Sequence, residues 1–207
     1  MFGIQHFEAF VLASILLNLV PGPDTFYILG RSLAQGRRVG IASALGISGG
    51  AVCHTLAAAV GLSAVLTASP IVFTAIKLIG AAYLVYLGIK IFYGASRVEQ
   101  SDIQHHASMR KVFGQGLLTN ALNPKVALFF MAFLPQFIAP DSSAHFIGFL
   151  LLGLTFVLTS TIWGFCLAYA SATISRTLRD NPRYLMYLNR FTGTLLVGLG
   201  VRLALDR

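Results

Sequence analysis

AFVLASILLNLVPGPDTFYIL, residues Ala9–Leu29, is an apolar run long enough to cross a bilayer, interrupted by Pro21-Gly22-Pro23 and followed at once by an acid, Asp24. A spanning helix needs about 20 mostly apolar residues. Proline removes a backbone donor and collides with the preceding turn, and glycine costs about 1 kcal/mol against alanine in a helix. The triplet therefore breaks the helix, freeing carbonyls before it and N–H groups after it. Pro23 suits the first turn of a restarted helix. Freed backbone groups cannot face lipid, so they line a cavity or pack against protein. The run has no positive n-region and no small-residue cleavage site, so it reads as a retained span rather than a signal peptide.

Working outward, five further stretches have spanning length: Val39–Leu66, Ile71–Phe92, Phe113–Ile138, Phe146–Ala170 and Tyr184–Leu205. The 207 residues are 56% hydrophobic and 11% charged, where a soluble domain carries roughly 25% charged residues. The expectation is an all-α, polytopic membrane protein of six transmembrane helices, multi-pass in the cell inner membrane. This composition argues against a soluble enzyme, a secreted disulfide scaffold and a nucleic-acid-binding domain, in spite of the net charge of +8. Cys53 and Cys166 stand alone in apolar stretches and read as packing residues, without CxxC spacing. No cofactor and no resident metal are expected.

Charge sets the orientation. The odd-numbered connections hold Arg31, Arg37 and Arg38, then Arg97, Arg110 and Lys111, then Arg176, Arg179, Arg183 and Arg190. The N-terminal stub, the turn at Ser69-Pro70 and the turn Ala139–Ala144 hold no Lys or Arg. The positive-inside rule then puts the odd connections in the cytoplasm and both termini outside. Arg202 and Arg207 run against this.

The second half repeats the first. Tyr83–Phe92 aligns with Leu195–Ala204, with Leu84/Leu196, Val85/Val197, Leu87/Leu199 and Gly88/Gly200 identical and Lys90 matched by Arg202. Asn18, Pro21-Gly22-Pro23-Asp24 corresponds to Asn120, Asn123-Pro124-Lys125, where Asn123 suits an N-cap and Pro124 a first helical position. The expected organisation is a first three-helix repeat at 1–94, a cytoplasmic linker at 95–112 and a second repeat at 113–207. Three spans per half force the halves into opposite orientations, giving two inverted repeats with broken first and fourth helices. Inversion also accounts for Arg202, which it carries to the opposite face from Lys90.

Asp24 is the only acid deep within a span, and a carboxylate at that depth is a functional candidate by default. Lys125 holds the matching place after the second break, so the two charges are positioned to pair across the repeat interface. The candidate substrate and coupling residues are Asn18, Pro21, Gly22, Pro23, Asp24, His54, Asn120, Asn123, Pro124 and Lys125. For His54, titration along a pathway and a plain interhelical hydrogen bond stand equal. Lys77 reads as snorkelling to the interface, and Trp163 as membrane packing. His105 and His106 lack a fixed third ligand and read as solvated linker. Gly46 and Gly50 lie on a small-residue face suited to close helix packing.

The stretch Pro21–Leu29 resembles a signature of the LysE/RhtB family of amino-acid exporters. So do Gly36-Arg37-Arg38-Val39-Gly40, Leu45-Gly46-Ile47, Gly80–Leu84, Gly116–Lys125 and Phe133–Phe137. The likeness runs in order over nearly the whole chain and is nearest to the homoserine/threonine-type branch. It implies export of amino acids from the cytoplasm, driven by the proton gradient. The partners it implies are a small amino acid, protons and the lipid bilayer, without nucleic acid and with homo-oligomerisation left open. In a transport cycle the restarted half-helices would receive the substrate carboxylate, Asp24 its ammonium or a proton, and Asn18 and Asn120 neutral hydrogen bonds. The alternatives are an exporter of another small solute and a non-transporting membrane subunit. A membrane hydrolase would need a GxSxG or HExxH motif, and neither occurs.

Overall fold

The computed structural model describes residues 2–93, 107–139, 142–171, 173–174 and 182–205. Most of the linker expected at 95–112, with His105 and His106, lies outside them, as do the side chains of Lys77, Leu84, Leu87 and Arg202. The described helices are α1 (Phe7–Leu19), α2 (Pro23–Gln35), α3 (Arg37–Ala68), α4 (Pro70–Tyr93), α5 (Met109–Ala121), α6 (Pro124–Phe133), α7 (His145–Tyr169) and α8 (Pro182–Leu205). A 3-10 turn, Leu134–Phe137, extends α6. Among the described residues the only bridge between extended segments is Ile4 with Ile138.

The chain is an all-α polytopic membrane protein. Helices α3 and α7, of 32 and 25 residues, are each long and apolar enough to cross a bilayer. The pairs α1–α2 and α5–α6 pass the same test only when each is taken as one span, bent by 53° and 49°. Helices α4 and α8 have 24 residues each, about 36 Å at 1.5 Å per residue. Leu56, Val60, Ile71, Ile79, Leu122 and Leu158 are exposed, the surface that a bilayer solvates and water does not. Cys53 and Cys166 are also exposed and free, so they face outward rather than packing the interior.

The breaks fall where proline requires them, and both restarted helices carry proline in their first turn. Helix α2 runs on to Gln35, six residues beyond the apolar run, and stops at Gly36, whose φ of +86° favours glycine. Arg31 is therefore not a loop charge. It lies inside α2 and is 4% exposed.

Helix directions follow from residue pairs. Gly46 meets Phe113, Gly50 meets Leu117, and His54 meets Asn120, so α3 and α5 run parallel. Ala44 meets Gly164, Ser48 bonds Thr161, and Thr55 meets Gly153, so α3 and α7 run antiparallel. Gly88 meets Val197 while Phe92 meets Gly193, so α4 and α8 are antiparallel too. Close approach needs glycine here: a Cβ on Gly46 would lie 2.3 Å from the carbonyl oxygen of Phe113. Hydroxyls inside the bundle are satisfied within their own helices, with Ser14, Ser32, Ser43, Ser48 and Thr55 each donating to the carbonyl four residues back.

Two apolar clusters fill the interior. One contains the rings of Phe10, Phe129, Phe130, Phe133, Phe137 and Phe156, which touch at centroid separations of 4.7–6.2 Å. The other is smaller and holds Ile28, Leu29, Ala44, Ile47, Leu167 and Ala168. At the first end the N-terminal stub pairs with the chain after the 3-10 turn, through Gln5 N–H to Phe137 O and Ala139 N–H to Gly3 O, both 2.8 Å.

Candidate functional site

Between these two clusters the broken helices converge on one cavity. Leu17, Val126 and Phe156 of the larger cluster and Ile28, Ile47 and Leu167 of the smaller one form its apolar lining. Its polar lining includes Asn18, Asp24, Asn120, Asn123, Lys125 and Trp163. The free volume is about 20 Å³. That is room for a water molecule and far less than the roughly 300 Å³ at which ligand pockets begin. The cavity is too narrow for a solute in this conformation, and Asn18, Asp24 and Lys125 in its lining are half-buried.

Each break is stabilised by the opposite half of the chain. Lys125 donates from Nζ to the carbonyls of Leu17 and Val20, both at 3.0 Å. At this end of α1 the break leaves the Leu17 carbonyl only the Val20 N–H, at 3.3 Å, and the Val20 carbonyl no helical donor. The ammonium also sits where the negative end of that helix dipole favours a cation. Asp24 stands in the first turn of α2, where an anion is favoured for the same reason. Its Oδ2 accepts from Asn120 Nδ2 at 2.8 Å. Asn123 is the N-cap of α6, its Oδ1 accepting from the backbone N–H of Lys125 at 3.0 Å. Asp24 and Lys125 thus share the cavity, but the ammonium binds helix-end carbonyls instead of forming the contact ion pair anticipated from their matching positions.

The other candidates sort by what they touch. Asn18 lines the cavity and donates to Thr159 Oγ1 at 3.3 Å. Gly22 lines it and is the N-cap of α2, extended at φ −151°. Pro21, Pro23 and Pro124 shape the breaks without lining the cavity. His54 lies outside it: Nε2 is 3.1 Å from the Asn120 carbonyl oxygen. A carbonyl only accepts, so that nitrogen donates. His54 therefore serves the end of α5 as Lys125 serves the end of α1. Trp163, taken from the sequence as packing, lines the cavity instead.

Four buried side-chain atoms around the cavity make no hydrogen bond within the protein: Asp24 Oδ1, Asn120 Oδ1, Asn123 Nδ2 and Trp163 Nε1. A buried polar atom without a partner costs about 1–3 kcal/mol, and here the cost is concentrated in one place.

A second polar group missed in the sequence ties the halves together further along α2. Arg31 donates to Gln35 Oε1 at 2.8 Å and to Gln115 Oε1 at 2.7 Å. Tyr27 donates to the Val112 carbonyl at 2.8 Å. The heptad interval from Asp24 to Arg31 was the available signal, since it places both on one face of α2.

No group of three or more metal-ligating side chains occurs among the described residues. The model of the LysE type translocator family matches residues 15–207, from the end of α1's first turns through both broken helices. The chain belongs to the LysE type translocator family. An uncharacterized membrane protein of Vibrio cholerae is 32% identical over 97% of each chain. Membrane protein YrhP of Bacillus subtilis is 31% identical over 96% of this chain and 98% of its own. A leucine efflux protein of Klebsiella pneumoniae is 28% identical over 98% of this chain and 96% of its own. No solved structure matches significantly. As a translocator of the LysE type, the chain is a membrane transport protein.

Proposed function

We propose that this translocator exports small amino acids from the cytoplasm across the inner membrane by proton antiport. The observation that carries the reading is the meeting of both helix breaks, with one carboxylate and one ammonium, around one narrow cavity flanked by two apolar clusters. The efflux activity named for the Klebsiella pneumoniae relative supports the substrate class.

In this reading the chain forms six spans as two inverted repeats, 1–94 and 113–207, joined by a linker at 95–112. Parallel α3 and α5, with antiparallel α3–α7 and α4–α8, are the directions such a plan requires. Asn18, Pro21, Gly22, Pro23, Asp24, Asn120, Asn123, Pro124 and Lys125 make up the site, with His54 holding Asn120 from behind. Loosening the smaller apolar cluster opens the cavity to the cytoplasm, and loosening the phenylalanine cluster opens it outward. Asp24 alternates between the substrate ammonium and a proton, so that a proton entering from outside releases the amino acid there. Both ligands need the same carboxylate, which couples their movements.

The test is transport in proteoliposomes with a panel of labelled amino acids, with and without an imposed proton gradient. Wild type moves one or a few of them in a gradient-dependent way, and Asp24→Asn loses that dependence. Undiminished gradient-driven transport by Asp24→Asn overturns the coupling role. Failure of a folded wild-type protein to move any amino acid points to another small solute.

A further inference from the structure

Resting on that reading of the cavity, we infer that its four unpartnered polar atoms form a divided head-group subsite for a zwitterionic amino acid with an uncharged side chain. Asp24 Oδ1 and Asn120 Oδ1 receive the ammonium; Asn123 Nδ2 and Trp163 Nε1 donate to the carboxylate.

The hydrogen bonds already made decide the polarity of each group. Asn120 commits its Nδ2 to Asp24 Oδ2, which leaves its oxygen as the unused end. Asn123 commits its Oδ1 to the Lys125 N–H, which leaves its amino group. The indole nitrogen can only donate and an ionised carboxylate can only accept. The result is two acceptors, one of them anionic, and two donors in the lining of one cavity. An α-amino acid head group offers the reverse: an ammonium with three donors and a carboxylate that only accepts. Lys125, with two of its three N–H bonds given to Leu17 and Val20, adds positive charge to the same lining.

The remaining lining limits the side chain. Leu17, Ile28, Ile47, Val126, Phe156 and Leu167 supply its hydrocarbon, and its remaining polar groups, Asn18, Thr25 and Ser160, are uncharged. Asp24 is the only acid in the lining, and the head group uses it. A lysine-like side chain would bring a second cation to a site that already holds Lys125, with no second carboxylate to receive it. The cavity therefore selects against basic amino acids.

Two substitutions test the donor half without unmaking the breaks. Trp163→Phe keeps the ring and removes the N–H. Asn123→Asp keeps an N-capping oxygen and replaces the amino group with a negative charge. Labelled L-leucine, L-valine, L-threonine, L-homoserine and L-lysine are offered to proteoliposomes, with the matching methyl esters, which lack the carboxylate charge, as competitors. Wild type moves neutral amino acids in preference to L-lysine and discriminates against the esters. Each variant, at wild-type thermal stability, raises KM about tenfold, the loss of one hydrogen bond to a charged group, and brings amino acid and ester closer to equal competition. Transport with unchanged discrimination in both variants assigns these atoms to a resident water and overturns the subsite, as does preference for L-lysine. Failure of wild type to move any of the panel overturns the amino-acid reading itself and the subsite with it.

Discussion

At the scale of single residues, Lys125 does two jobs that the chain position alone does not announce. Its backbone N–H begins α6 under the Asn123 cap, while its ammonium crosses to the other half and closes the end of α1. Water inside a bundle is scarce, so no solvent replaces this donor at the Leu17 and Val20 carbonyls. Lys125→Met keeps most of the side chain's bulk and removes the donor. It is expected to lower stability by about 1.5–3 kcal/mol, the range for hydrogen bonds to a charged group, read as a lower melting temperature in detergent. An unchanged melting temperature would mean that the break is held by something else.

Among elements, the parallel α3–α5 contact joins the two halves, and it depends on missing side chains. A Cβ on Gly46 would lie 2.3 Å from Phe113 O, and one on Gly50 would lie 2.7 Å from Leu117 O. Backbone atoms cannot swing aside as a flexible side chain does. Gly46→Ala is therefore expected to separate α3 from α5 and destabilise the fold by about 1–3 kcal/mol. Gly61, on the same helix, has nothing within 4 Å of such a Cβ. Gly61→Ala should be neutral or stabilising by up to about 1 kcal/mol, the propensity difference alone. Thermal unfolding of the two variants side by side separates interface packing from helix propensity. Equal effects would refute the packing argument.

For the whole molecule, the question is which end faces which compartment. The stub at Gln5 pairs with Phe137 at one end, and Gln35 bonds Ala107 just ahead of α5 at the other. The first end carries the connections without Lys or Arg and the second the arginines of the α2–α3 turn, so the positive-inside rule puts the second in the cytoplasm. Exposed Gln5 and Met109 report on the two sides. In a Cys53→Ala, Cys166→Ala background, Gln5→Cys should react with an impermeant maleimide on intact cells. Met109→Cys should react only after permeabilisation. The reverse pattern would invert the orientation and with it the direction of transport.

Much of this architecture is local and so was legible in the sequence. Proline and glycine break a helix wherever they stand, and long apolar runs need lipid in any fold. Thus the two breaks, the neighbouring Asp24 and Lys125, and the membrane class followed from residue chemistry. Who meets whom did not, because it depends on how the halves pack. Tertiary structure turned the expected Asp24–Lys125 contact pair into an ammonium on helix-end carbonyls and gave His54, of its two readings, the interhelical hydrogen bond at the end of α5. It buried Arg31 against Gln115 and drew Trp163 from lipid-type packing into the cavity. A side chain's type and depth are written along the chain, whereas its partner comes from a helix a hundred residues away, and only packing brings the two together.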